Sequence, residues 1–213
     1  MRIRLLGVGA AMALVLPTLG AAAPITATVR VEGVDATVLP PTPITVDDAP
    51  GATMTVADST DTDTVTVPAS SALAQLARAT TASGLPLAFQ NLSFGAQILR
   101  IGAATAPGAT PPFWRLKVNG TAAPVGAGDY LLAAGDSVSW ALVSDFDAHE
   151  LDLAVSGDTY ALGTSFTATV TSVDNTGAVT PAAGATVTYG DQAATGPVMT
   201  SSGVSLVAPR GLA

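Results

Sequence analysis

The segment Trp114–Gly120, WRLKVNG, is followed by Gly135–Trp140, GDSVSW, and these two stretches hold both tryptophans of the chain. In the first, Trp114, Leu116 and Val118 alternate with Arg115, Lys117 and Asn119. In the second, Val138 and Trp140, continued by Leu142, alternate with Ser137, Ser139 and Ala141. A period of two predicts two strands, each with one apolar face. Asn119-Gly120 predicts a tight turn, because both residues tolerate positive φ. Strands with matched alternation bury their apolar faces in one core. Each indole can remove about 150–250 Å² from water, and Phe, Trp and Tyr make up only 5% of the chain. The expected structural core is therefore Trp114, Trp140, Val118 and Val138, joined by Leu73 and Leu76 of the helix described next.

Upstream, Ile25–Glu32 (ITATVRVE) alternates in the same way. Further short strands are expected at 36–39, 44–46, 54–56, 64–67, 85–90 and 96–101. Pro40, Pro41 and Pro43 are expected to break the chain into bends, since proline cannot donate to a ladder. The stretch from Pro68 to Gly84 predicts one helix. Ser70 or Ser71 can cap it, Leu73, Leu76, Ala77 and Thr80 form an apolar stripe, and Gly84 supplies a left-handed stop. Its high Ala content suits close packing on a sheet.

Composition narrows the function classes. The 213 residues carry a net charge of −8 and a mean hydropathy of +0.48. The scattered cations leave no patch for phosphates, so no nucleic-acid partner is expected. With no Cys and a single His, His149, disulfides, thiolate metal sites, a cysteine nucleophile and a multi-His metal site are excluded. No catalytic residues, no metal site and no enzyme activity are expected.

Residues 1–22 have the layout of an export signal. Arg2 and Arg4 precede the apolar run Leu5–Leu16, Pro17 breaks it, and Gly20-Ala21-Ala22 offers small residues for cleavage after Ala22. No membrane span is expected once that segment is removed, and the mature protein is expected to be secreted, outside the cell.

VRVEG, SSALAQLARA, FGAQILRIG, WRLKVNG and GDYLLAAGDSVSW, in that order, resemble a small domain of unknown function found in many bacterial secreted proteins. The same domain is the C-terminal part of transcobalamin and intrinsic factor. The resemblance covers about residues 26 to 143. It implies an α+β module of antiparallel sheets with one packed helix, here assigned to 23–145. In the vitamin carriers this domain closes over cobalamin held by a separate helical barrel, so the resemblance implies cobalamin as the one cofactor to weigh; otherwise none is expected. From Leu151 the texture becomes short alternating strands between Gly, Asp, Asn and Pro turns, resembling bacterial Ig-like repeats. Residues 146–150 are expected to be a linker, and 151–213 an all-β Ig-like segment. That length is short for such a sandwich, so it is either incompletely closed or truncated.

Candidate sites are few. Asp58, Asp61 and Asp63 lack the central Gly and terminal Glu of an EF-hand loop, and a solvated acidic loop is expected. His149 lies among Asp145, Asp147, Glu150 and Asp152 without a Ser partner nearby in sequence, and an exposed hinge is expected. The ligand-binding candidates are Phe113, Tyr130 and, on the outward face of their strand, Arg115 and Lys117; Phe94 joins Phe113 as a platform aromatic. A solvated sheet face is the default for the two cations. Two readings follow: an exported, non-enzymatic binding or adhesion-type protein with a protein, glycan or small-molecule partner; or a small-molecule carrier, corrinoids included, using the loops Gly102–Phe113 and Thr121–Asp129.

Overall fold

A computed structural model describes residues 24–46, 51–93, 95–108, 110–155, 165–182, 185–189, 192–195 and 204–207. The expected signal segment and Phe94 lie outside these residues. The described chain is mostly strand, with one short helix.

In chain order the first part contains β1 (Ile25–Glu32), β2 (Thr37–Val46), β3 (Thr53–Ala57), β4 (Thr64–Pro68), α1 (Ala72–Ala82), β5 (Leu87–Leu92), β6 (Gly95–Ile101), β7 (Ala104–Thr105), β8 (Phe113–Val118), β9 (Thr121–Ala122) and β10 (Ser137–Val143). The second contains β11 (Glu150–Val155), β12 (Ser165–Val173), β13 (Val179–Pro181), β14 (Thr186–Tyr189), β15 (Gln192–Thr195) and β16 (Val204–Val207).

The main sheet has the order β2-β1-β10-β8-β9. Its centre is the tryptophan pair of strands: β8 and β10 run antiparallel, with Trp140 opposite Leu116 and Trp114 opposite Leu142. Asn119 and Gly120 both take positive φ (52° and 80°), closing the β8–β9 hairpin in two residues. One ladder differs from the all-antiparallel expectation: β1 runs parallel to β10, with Val31 beside Trp140. The prolines differ too. Thr37–Val46 is one continuous strand through Pro40, Pro41 and Pro43. It tolerates them because β2 is the sheet edge, where a missing N–H costs no ladder bond.

Helix α1 starts at Ser71, whose side chain accepts a hydrogen bond from the Ala74 N–H at 3.2 Å, and is followed by Gly84 at φ 65°. Leu73 and Leu76 are fully buried, as are Ala72, Ala74 and Ala79. The small side chains let the helix lie close to β1, β2, β3 and β4. Its residues share one core with Val29, Val31, Val118, Val138, Trp140 and the β5–β6 residues Phe89, Ile98 and Ile101.

The acidic loop after β3 differs from expectation. Asp58 is buried, not solvated. Its Oδ1 accepts from the Thr60 N–H (2.6 Å), the Thr60 hydroxyl (2.8 Å) and the Asp61 N–H (3.1 Å), and its Oδ2 accepts from the Phe89 N–H (2.7 Å). One carboxylate thus closes the β3–β4 turn and ties it to β5. Burial pushes this carboxyl up, but the donated hydrogen bonds outweigh it and hold the group below its ordinary 3.8. A folded pKa below the unfolded one stabilises the fold above the unfolded value, and that contribution fades as pH falls through the folded value. We expect Asp58→Asn to cost about 1–3 kcal/mol at neutral pH. The gap in melting temperature between the parent and this variant should narrow as pH falls below 3.8; a gap independent of pH would contradict the assignment.

In the second part, β12 is the hub. It pairs with β11 over Ala168–Val173, with β13 at its C-terminal end and with β16 at its N-terminal end; β14 and β15 form a separate hairpin. Phe166, Ala168, Val170, Ala182 and Val187 form a second small core. The regular structure described after Val143 is all strand.

Candidate functional site

The polar face of β8 carries Arg115 and Lys117, and neither lies on a solvated surface. Arg115 is 3% exposed and Lys117 not at all. The reason is that the 146–150 segment and the end of β12 cover this face. Arg115 donates through Nη1 to the Phe146 and Ala148 carbonyls and through Nη2 to Glu150 Oε1 at 3.2 Å. Lys117 Nζ donates to the Val173 and Asp174 carbonyls at 3.1 and 2.8 Å, and stands 3.8 Å from Glu150 Oε1. The other Glu150 oxygen accepts from the Ser139 hydroxyl. Burial pushes the Lys117 ammonium down; Glu150 opposes this, Arg115 adds to it, and Asp174 opposes it, with the net shift downward. The expected hinge is thus held to β8 by backbone carbonyls that solvate two cations.

The turns on either side interlock as well. The Ala122 N–H donates to the Asn175 carbonyl. A Cβ at Gly177, whose φ is +84°, would stand 3.0 Å from the Thr121 hydroxyl, so glycine suits the close approach of the β12–β13 turn to the β8–β9 hairpin.

At the other end of β8 lies a cleft of about 380 Å³, half-open to solvent. Its walls come from β6, β8, β10, the loops before β8 and after β9, and the junction. Small residues (Ala106, Gly108, Ala122, Ala123) leave the space, and aromatic rings shape it. Phe113 stacks on Phe146 with centroids 4.8 Å apart and planes at 19°. Trp114 and Trp140 both line the cleft. Four buried side-chain polar atoms without a partner belong to residues lining it: Trp114 Nε1, Trp140 Nε1, Arg115 Nε and Asn175 Oδ1. These atoms have essentially no accessible area, and the register puts Arg115 on the opposite face of β8 from Trp114.

Of the expected ligand residues, the structure brings Phe113 and Arg115 into this cleft, along with Trp114 and Trp140. Lys117 stands behind it in the ionic cluster. Tyr130 is half-buried against the main core and does not line the cleft. The loops named for a carrier, 102–113 and 121–129, do contribute to its walls. Phe146 and Asn175 were not anticipated; the only sequence signal for them is an aromatic and an amide in the two turns that face β8.

His149 is exposed, as expected of the junction, but it has a partner. Its Nδ1 lies 2.8 Å from the Ser172 hydroxyl, because Leu151 and Ser172 are opposite each other on β11 and β12. Among the described residues no carboxylate hydrogen-bonds its other nitrogen, and no group of three or more metal-ligating side chains occurs. No described helix is long and apolar enough to cross a membrane.

The family described as Domain of unknown function (DUF4430) matches residues 88–144, which run from β5 to β10 and include both tryptophans. No curated protein matches the sequence. Among solved structures, that of haptocorrin in complex with Cbi is similar at 20% identity and a TM-score of 0.41, over 57% of this chain. The chain spans 26% of the haptocorrin chain. The family match overlaps the 26–143 stretch over residues 88–143 and fits a domain of unknown function there.

Proposed function

We propose that the chain is an exported, non-enzymatic binding protein and that the indole-walled cleft beside β8 seats a small molecule. On this reading 23–145 is the binding module, 146–150 a clamp that completes one wall, and 151–213 an Ig-like segment that supplies Asn175. The observation that carries it is the cleft itself, about 380 Å³ and lined by Phe113, Trp114, Trp140 and Phe146. The cleft's volume falls at the lower end of the roughly 300–1,000 Å³ usual for small-molecule sites. That size suits a bicyclic body better than a corrin macrocycle. Among the described lining residues no imidazole or carboxylate is present to ligate a corrin's cobalt, so no step is assigned to cobalamin.

Because both tryptophans line the cleft, their emission reports its occupancy. Titration with phenylnaphthylamine or its sulfonate should quench that emission. Ala123→Leu, which adds bulk at the cleft wall, should weaken the quenching at least about tenfold, while the exposed Leu151 and Leu153 of β11 are untouched. No quenching by either probe, or quenching that Ala123→Leu leaves alone, would overturn the reading. Cobalamin, followed by its own absorbance, tests the corrinoid alternative in parallel: submicromolar binding would displace the small-ligand assignment.

A further inference from the structure

A groove of about 680 Å³ lies where the two parts of the chain meet, and it shares no lining residue with the cleft beside β8. Its walls are residues 149–153 on one side and, on the other, β1, the first half of β2 and the end of β10. No residue of β12 or β13 lines it, so it opens on the side of β11 that β12 leaves free. Among the described residues β11 is the end strand of its sheet, and β2 is the end strand of the main sheet. Two sheet edges therefore border one groove.

The two edges differ in what they can accept. Pro40, Pro41 and Pro43 leave β2 short of donors, which blunts that edge. β11 has no proline, and every second residue of an antiparallel strand turns its N–H and C=O away from its partner. Among the described residues no backbone group of another element bonds to β11 from that free side. Side chains do not shield it either: Leu151 is 58% and Leu153 55% exposed. Leu151, Leu153 and Val155 stand opposite Ser172, Val170 and Ala168, so they extend the apolar face of the second core. Glu150 and Asp152 share the other face, which Glu150 joins to β8 through Arg115. A bare edge flanked by exposed leucines is a template for one more strand.

Charge narrows what that strand carries. Arg30 pairs with Glu32 at 3.3 Å, and the second Glu32 oxygen accepts from the Thr37 hydroxyl. Glu150 is held by Arg115 and Lys117, and His149 is turned to Ser172. Among the described residues this leaves Asp152, exposed and with neither a hydrogen bond nor an ion pair, as the uncompensated charge of the groove. We propose that β11 receives an extended peptide segment of a partner protein as an added strand, apolar on the face shared with Leu151 and Leu153 and carrying a Lys or Arg beside Asp152. An extended polypeptide supplies donors and acceptors at the spacing the edge presents, and its alternate side chains meet the two faces of β11 separately. A second copy of this chain offers no such free strand, because its own β11 lies in the same groove, walled by β1, β2 and β10. The site is distinct from the small-molecule cleft and does not depend on it.

The probe is a short capped peptide that alternates threonine and valine, with lysine in place of the central threonine and a fluorescent tag read by anisotropy on the full chain. Replacing its lysine by glutamate should weaken binding about threefold to fivefold, the range of a cross-strand charge pair. Asp152→Lys, at an exposed position, should invert that preference. N-methylation separates strand addition from apolar adhesion. All the valine N–H groups lie on one edge of the extended peptide, and those of threonine and lysine lie on the other. Methyls on the edge that meets β11 should weaken binding at least about tenfold, and methyls on the opposite edge by less than about threefold. Equal effects of the two methylation sets, a charge preference that Asp152→Lys leaves unchanged, or no binding of the lysine peptide would overturn the proposal. So would a parent chain that sediments as a dimer and becomes monomeric on Leu153→Lys, since a second copy would then hold the edge. Quenching of the cleft tryptophans by phenylnaphthylamine should be the same in Asp152→Lys as in the parent, so the two sites stand or fall separately.

Discussion

Lys117→Ala is expected to lower stability by about 3–5 kcal/mol, whereas Lys117→Met lowers it by no more than about 2. The difference comes from separating the stem from the charge. Lys117 is the largest fully buried side chain of the described residues, so truncation to Ala leaves a cavity of nearly four methylenes; deletions of that size in a core cost about 2–5 kcal/mol. The Val173 and Asp174 carbonyls lose their donor in both variants, at about 1 kcal/mol or more. Against this, removing the ammonium relieves a desolvation penalty, and Glu150 keeps Arg115 as a partner at 3.2 Å, so no buried carboxylate is left uncompensated. Met keeps the volume and takes the relief; Ala takes the relief and loses the volume. The pH dependence separates the terms further. Burial and Arg115 hold the folded ammonium below its ordinary 10.5 despite Glu150 and Asp174. Between the lowered folded value and 10.5 the unfolded chain binds more protons, so parent stability rises with pH across that window. Lys117→Met should flatten the rise. Denaturant titrations of the three proteins at neutral and at alkaline pH check both points. Equal losses for Ala and Met would mean that the charge, and not the packed stem, holds the junction.

That cluster also marks where sequence reasoning reaches its limit. Alternation in WRLKVNG divides β8 into two faces, and it places Arg115 and Lys117 together. It cannot say what covers the polar face, because the partners are backbone carbonyls, present at every residue and invisible in the side-chain pattern. The same holds for Asp58. Its four donors are three backbone N–H groups and one hydroxyl, one of them at Phe89 on another hairpin, so only the fold reveals why that carboxylate and not Asp61 or Asp63 is buried. Local geometry was legible: the Asn119-Gly120 turn, the Ser71 cap, the Gly84 stop and the indole strands all follow from propensities within a few residues. The parallel pairing of β1 with β10 was not, since period-two alternation is identical for either direction. Nor was the continuity of β2 through three prolines, which depends on its place at the sheet edge. For the cleft, the two loops that line it were recognisable by their Gly and Ala content. The clamp that finishes it, Phe146 and Asn175, was not, because it comes from turns whose position depends on how the second segment meets β8.

Trp140→Ala should be the more damaging of the two tryptophan truncations, costing about 3–5 kcal/mol against roughly half that for Trp114→Ala. Both rings sit on the same pair of strands, but their surroundings differ. Trp140 is 3% exposed and belongs to the core shared with Leu73, Leu76, Val31 and Val138. Trp114 is only half-buried and packs against that core from its margin. Trp140 also stands between two ladders: β1 runs parallel on one side and β8 antiparallel on the other. A cavity there weakens contacts on both neighbours and beneath α1. Trp140→Phe isolates the ring from its nitrogen. If the indole N–H made a hydrogen bond in the folded chain, losing it would add about 1 kcal/mol or more to the packing change. Because Nε1 has no partner, removing it relieves an unmet donor, and Phe should cost only about 1–2 kcal/mol for the smaller ring. A denaturation midpoint for Trp140→Ala equal to that of the parent would place the ring outside the core, and the common floor of the fold and of the cleft would be lost with it.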